Sequence, residues 1–81
     1  MPYIIHERRE QVSESGLPEN AGELNWVLTM VIKGYLQNKG TCYQTMNDIV
    51  GALESCKAEF QRRVVNPYED EKIKLNGDVY D

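Results

Sequence analysis

Two stretches of the chain carry apolar residues at the spacing of a helix face. The first comprises Leu24, Val27, Leu28, Val31, Ile32, Tyr35 and Leu36, which follow the i, i+3, i+4, i+7 pattern. Asn20 precedes this stretch as a candidate N-cap, and Glu23 lies three residues further on, in the manner of a capping box. Gly40 can adopt the left-handed conformation that ends a helix. We therefore predict a helix over about residues 21–38.

The second stretch predicts a helix over about residues 46–65. Its apolar side is formed by Met46, Ile49, Val50, Leu53, Cys56, Phe60 and Val64. Thr45 is a candidate N-cap, with Asp48 at the third position beyond it. Because the connection between the two predicted helices is short, we expect them to pack as an antiparallel hairpin with their apolar faces together.

The last residues of the chain predict a third, shorter helix. Pro67 disfavours helical geometry at Asn66, so the second helix should end or kink near Val65. Asn66 can cap a new helix or lead into a kinked continuation over about residues 67–75, which Asn76 and Gly77 would end. Apolar side chains give this segment surface to bury against the hairpin, so we expect it to fold back: Tyr68, Ile73, Leu75, Val79 and Tyr80.

The N-terminal residues predict a short helical or extended segment that docks on the main body. Ile4, Ile5 and Val12 flank the charged run HERREQ, and a Gly-, Pro- and Asn-containing connection follows. The chain of 81 residues has the length of one domain, which we assign to residues 1–81. The expected fold is thus all-α. Such a short chain leaves much of its surface exposed and gains from pairing with copies of itself.

Composition and charge narrow the classes of partner. Thirteen acidic residues against nine basic ones give a net charge of −4, which argues against binding DNA, RNA or anionic lipid over the whole surface. No apolar run is long enough to span a membrane, and the N-terminus lacks the pattern of a signal peptide. Cys42 and Cys56 are expected to be buried or half-buried thiols in a reducing cytosol. With His6 as the single histidine, we expect no metal site and no cofactor.

Basic and aromatic residues supply a candidate binding site for an anionic ligand. Arginine binds phosphate or carboxylate through two parallel hydrogen bonds, and tyrosine stacks on a base or sugar. The candidate ligand-binding residues are Arg62, Arg63, Lys72, Lys74, Tyr43, Tyr68 and Tyr80. The alternative is that Glu59 pairs with Arg62 and Arg63 along the helix, and that residues 69–71 neutralise the lysines.

Residue patterns typical of catalysis are not found in this sequence. Its acidic residues do not form the ExxH spacing of a helical carboxylate site, and its serines lack a GxSxG motif. The sequence also has no Gly-rich phosphate-binding loop. We therefore expect the protein not to be an enzyme.

Three segments carry a resemblance to a known family. GELNWVL, NDIVGALESCKAEFQRRVV and NPYEDEKIKLNGDVY are similar to short proteins of tailed bacteriophages and prophages, a family described as a domain of unknown function. The resemblance covers about residues 22–80. It implies a viral accessory protein that acts in the cytoplasm of the host bacterium, and it supplies no catalytic residues.

Two hypotheses of function follow. In the first, the protein is a homo-oligomer that sequesters an anionic small molecule, a cyclic or ADP-ribose-type nucleotide used as an immune signal, in a pocket between subunits. Small oligomeric phage proteins that capture such signals are the class to which it is similar in size and charge. In the second, it is a non-enzymatic adaptor or inhibitor that binds a host protein through an exposed helix face.

Overall fold

The computed structural model describes residues 4–80, and this part of the chain is helical without a β-strand. Its elements are α1 (His6–Ser15), α2 (Ala21–Lys39), α3 (Tyr43–Phe60), a π-helical turn (Gln61–Val65) and α4 (Asn66–Asn76). The expected all-α class is confirmed. The chain divides into two compact units, one ending at Met46 and the other beginning at Asn47.

In the first unit, α1 packs against α2. Val12 of α1 is 1% exposed and Ile4 is also buried, which confirms that the N-terminal segment is helical and docks, although Ile5 remains exposed. Gly16 ends α1 with a positive φ of 70° and donates its N–H to the carbonyl oxygen of Val12 at 2.6 Å. A glycine adopts this left-handed conformation without the steric cost of a Cβ atom.

An ion-paired network joins α1 to the start of α2. Arg8 Nε donates to Glu23 Oε2 at 2.7 Å, and Arg8 Nη2 donates to Glu23 Oε1 at 2.9 Å. The same Nη2 lies 2.8 Å from Glu19 Oε1. Glu23 is 5% exposed, and its carboxylate also accepts the backbone N–H of Glu19 at 2.9 Å. A buried carboxylate with this many donors has its hydrogen-bonding capacity met, so the network holds α1 in place.

The predicted start of α2 is confirmed at Asn20. The side-chain Oδ1 of Asn20 accepts the backbone N–H of Glu23 at 2.9 Å, and Asn20 Nδ2 lies 3.3 Å from Glu23 Oε2. Glu23 therefore takes part both in the N-terminal cap of α2, through its backbone N–H, and in the ion pair with Arg8, through its carboxylate. At the other end, Gly40 donates its N–H to Leu36 at 2.8 Å.

The predicted start of α3 at Thr45 is wrong. The helix begins at Tyr43, so Thr45 lies in its first turn, where its side chain is buried. Its Oγ1 is 3.3 Å from Cys42 Sγ. The carbonyl oxygen of Cys42 already accepts the N–H of Met46 at 3.0 Å, so helical hydrogen bonding starts before the residue expected to cap it.

A π-helical turn carries the helix through Pro67, so Asn66 is not an N-cap. Asn66 has helical φ and ψ of −63° and −46°, and its N–H bonds to the carbonyl oxygen of Gln61, five residues back. In a regular α-helix the ring of Pro67 would clash with the carbonyl of Arg63. The wider π-helical turn accommodates the ring. Of the two alternatives predicted for this segment, a kinked continuation is therefore closer to the structure than a break at Val65.

The expected burial of the helix faces within the chain is wrong. Val31 on α2 is 66% exposed and Val50 on α3 is 62% exposed. Gly40 ends α2 as predicted, with a positive φ of 91°, but its ψ of 154° is not that of the left-handed helical conformation expected for it.

The expected folding back of the C-terminal segment is also wrong. Every described side chain from 66 to 80 is exposed, and α4 contacts the π turn from which it continues. The reason is that the π-helical turn accommodates Pro67. Because the chain stays helical at this point, it does not reverse its direction there. Gly77 ends α4 with φ 89° as predicted, donating its N–H to Ile73 at 2.8 Å.

The Glu23 carboxylate makes the docking of α1 sensitive to acid. Its pKa is lowered, first by the hydrogen bond from Arg8 and then by the backbone N–H of Glu19. Because the folded-state pKa lies below the unfolded value of about 4.3, the contact stabilises fully above that value and is lost as the pH falls through the folded pKa. We expect the NMR signals of the Val12 methyl groups to move towards their unfolded positions below about pH 4.

Two variants test whether Glu23 is the cause of this acid-dependent change. Glu23→Gln should lack this acid-dependent change, and Glu10→Gln, at an exposed position of α1, should titrate as the wild type does. Val12 signals that stay in place through acidification of the wild type would contradict the role assigned to Glu23.

Pro67→Ala should convert the π turn to α-helix. Alanine restores the amide hydrogen and removes the ring, so the N–H of Asn66 is expected to bond to Arg62 in place of Gln61. The gain in stability is at most about 3 kcal/mol, the cost of a proline in a helix interior. Couplings through hydrogen bonds in NMR would detect the change of acceptor. Pro18→Ala, outside the helices, is the control that should leave the π turn unchanged.

Candidate functional site

Two of the described helices carry exposed apolar side chains at helical spacing. The α2 face consists of Leu24, Leu28, Val31 and Tyr35. The α3 seam consists of Val50, Leu53 and Phe60 of α3 with Val64 of the π-helical turn that follows. All eight side chains are at least 41% exposed. In both sets the residues recur at intervals of three, four or seven, so each lies along one side of its helix. Apolar surface of this extent is typical of sites where proteins associate.

Arg62 and Arg63 share one carboxylate. Arg63 Nε donates to Glu59 Oε2 at 2.7 Å, and Arg62 Nη2 lies 3.0 Å from Glu59 Oε1. The hydrogen bond from Arg63, followed by that from Arg62, lowers the pKa of Glu59, so it stays charged at neutral pH. The pairing considered as the alternative for these arginines is therefore observed. An anionic ligand would have to compete with Glu59 for them.

The two candidate lysines have neighbours on α4. Lys74 Nζ is 3.6 Å from Glu71 Oε1, and Lys72 Nζ lies 5.3 Å from the ring centroid of Tyr68. An exposed ammonium group over a tyrosine ring gains about 0.5–1 kcal/mol from the ring quadrupole. The lysines are thus held by weak surface contacts that leave them accessible.

A shallow hollow of about 280 Å³ lies where α4 ends. Lys72 and Tyr80 line it, together with the carboxylates Glu69 and Asp78. The backbone N–H of Tyr80 donates to Asp78 Oδ1 at 2.9 Å. One lysine beside two carboxylates gives the hollow a mixed electrostatic character.

The seven predicted ligand residues form smaller groups. Arg62 and Arg63 meet at Glu59, whereas Lys72 is near Tyr68 and shares the hollow with Tyr80. Lys74 pairs with Glu71 outside that hollow. Tyr43 belongs to the first unit, where it is 85% exposed at the start of α3.

Nearly the whole chain matches one family model. A model described as a domain of unknown function (DUF6899) matches residues 1–79. The chain belongs to this family. The match confirms the expected unknown-function family and includes the N-terminal residues that the resemblance over about residues 22–80 omitted. No curated protein and no solved structure matches the chain.

The family match covers Arg8 and Glu23, whose pairing the sequence did not reveal. They are separated by fifteen residues, and helix spacing gives no signal for a contact across a connection. Cys42 and Cys56 are exposed, so their expected burial is wrong. Cys56 lies between Leu53 and Phe60 of the α3 seam in the sequence.

Neither a metal-binding cluster nor a membrane-spanning helix is found among residues 4–80. Within residues 4–80 no three His, Cys, Asp or Glu side chains are grouped in a way that could hold a metal ion. Over the same residues, no helix has both the length and the apolar character needed to span a membrane.

Proposed function

We propose that this protein is a non-enzymatic homo-oligomer whose copies join through the apolar faces of their helices. The observation that carries the proposal is the distribution of apolar side chains. Ile4 and Val12 form the buried apolar core of the described chain, while the α2 face and the α3 seam are exposed. Moving one Val or Leu side chain from water into an interface contributes about 1.5–3 kcal/mol.

A second copy is the partner that suits the α2 face. Its four side chains carry no charge, so two identical faces can meet without burying an unpaired charge. Association through the same patch on both subunits is also the commonest symmetry of soluble oligomers. Because the chain is short, it buries little apolar surface by itself. An interface with a second copy would add to that buried surface.

Val31→Lys tests the self-association. A lysine on the α2 face would be buried without a partner, so the dissociation constant should rise by about tenfold or more. Sedimentation velocity over a range of concentrations measures this change. Gln37→Lys adds the same charge to an exposed position on the opposite side of α2 and should associate as the wild type does.

The oligomeric state of the wild type decides between the hypotheses. A wild type that stays monomeric at all concentrations would overturn the proposal. The exposed faces would then favour the adaptor hypothesis, in which they bind a host protein. Capture of one stoichiometric partner from host lysate, lost in Val31→Lys, would identify that case.

Sequestration of an anionic nucleotide is the second candidate function. It requires the oligomer, because the pocket would lie between subunits. Lys72 supports it, because its ammonium group lies over the ring of Tyr68 and it also lines the hollow that contains Tyr80, and a cation beside aromatic rings suits a phosphate and a base. Arg62 and Arg63 would join this site if association displaced Glu59. The resemblance to phage proteins supports the same role, an accessory protein acting against defence in the cytoplasm of the host bacterium.

A thermal-shift series with cyclic dinucleotides and ADP-ribose derivatives tests this candidate. A ligand present at 100 times its Kd adds about 2.7 kcal/mol to the free energy of unfolding. Lys72→Ala should abolish the shift, and Lys33→Ala, an exposed lysine of α2, should retain it. If no anionic nucleotide raises the melting temperature, sequestration is excluded and the oligomer proposal stands unaffected.

A further inference from the structure

The end of α4 carries an asparagine that is followed directly by a glycine. Asn76 is the last residue of the helix, and Gly77 ends it with a positive φ of 89°. Among the six asparagines of the sequence, Asn76 is the one that precedes a glycine. The backbone nitrogen of the residue after an asparagine can attack the side-chain amide, and glycine permits this most readily because it has no Cβ atom in the way. The sequence thus places a chemically labile pair at this position.

This pair of residues is open to solvent. Every described side chain from 66 to 80 is exposed. On the side of Gly77 where a Cβ atom would stand, no described atom outside its chain neighbours lies within 4 Å. Water and base, which the reaction requires, therefore reach the side-chain amide of Asn76 and the backbone around Gly77.

One hydrogen bond holds Gly77 against the helix. Its N–H donates to the carbonyl oxygen of Ile73 at 2.8 Å, and this bond has to open before the nitrogen can turn towards the side chain of Asn76. The bond closes the last turn of α4, whose side chains are exposed. Fraying of such a turn has one of the lowest free energies of local opening in a protein. The reactive arrangement is therefore reached by fraying of the helix end, without global unfolding.

We propose that Asn76 is a site of spontaneous deamidation through a succinimide formed with Gly77. The backbone nitrogen of Gly77 loses its proton to base and attacks Cγ of Asn76. The new C–N bond closes the succinimide ring, and the side-chain nitrogen leaves as ammonia. Water then opens the ring at either of its carbonyl carbons, which gives aspartate or isoaspartate. The net reaction consumes one water and releases one ammonia for each chain, and it involves no oxidation or reduction.

Deamidation would change the hollow at the end of α4, because Asn76 is one of the residues that line it. The hollow already holds Lys72 beside the carboxylates Glu69 and Asp78. A further carboxylate at position 76 lowers its attraction for an anionic ligand. The new charge also lies at the negative end of the helix dipole, where it favours further fraying of the last turn. The reaction would thus convert the hollow irreversibly into a more acidic surface.

Peptide mapping by mass spectrometry tests the proposal on the full-length protein. During incubation in mildly alkaline buffer, the peptide containing Asn76 should gain the mass difference between an amide and a carboxylic acid. The same peptide should become a substrate for an isoaspartyl methyltransferase. Asn66 is the internal control, because Pro67 has no N–H to attack with and the peptide containing Asn66 should keep its mass. Asn76→Gln is the matched variant, in which glutamine would have to close a larger ring and both signals should disappear.

A parallel incubation in denaturant measures how far the helix end protects Asn76. Because fraying supplies the reactive state, the rate in native buffer should lie within about tenfold of the rate in denaturant. A larger reduction, or an Asn76 amide that persists in native buffer, would overturn the proposal, since the last turn would then stay closed. An amide that persists in denaturant as well would overturn it on chemical grounds. These measurements involve neither a ligand nor a second copy, so their outcome is independent of the proposed function.

Discussion

An amphipathic helix persists in water when its apolar face is covered, and that constraint dominates this molecule. Isolated helices shorter than about 12–15 residues are marginal even with favourable sequences, and tertiary packing supplies most helical stability in proteins. Among the described residues, the apolar side chains that are buried are Ile4 and Val12, where α1 packs against α2. Several apolar side chains of α2 and α3 are exposed, and the proposed self-association would cover them.

Ionic contacts in the chain are of two kinds with different consequences. Arg8 and Glu23 form a nearly buried, two-pronged pair that fixes one helix on another and links their contact to pH. Glu59 with Arg62 and Arg63 is an exposed cluster along one helix, and exposed pairs contribute little to stability. The first pair is therefore structural. The second leaves its arginines available to exchange partners when another molecule, protein or ligand, approaches.

Local signals predicted the elements of this fold, and long-range packing was beyond them. The Asn20 cap and the glycine stops depend on neighbouring residues, so they could be read from the sequence. The π turn required weighing Pro67 against a long helix that could absorb it. The exposure of the two apolar faces could not be read from the sequence, because helix periodicity shows which side chains share a face and not what covers that face. Candidate residues such as Lys72 and Tyr80 were chosen by chemistry, but their grouping depends on where α4 ends.

Amide hydrogen exchange at increasing protein concentration tests the central claim most directly. If molecules cover one another's helix faces, the amides of α2 and α3 should become more protected as concentration rises, while exposed residues after Gly77 stay fast in exchange. Protection of α2 and α3 that is strong and independent of concentration would contradict the account, because the helices would then be stable without a second copy.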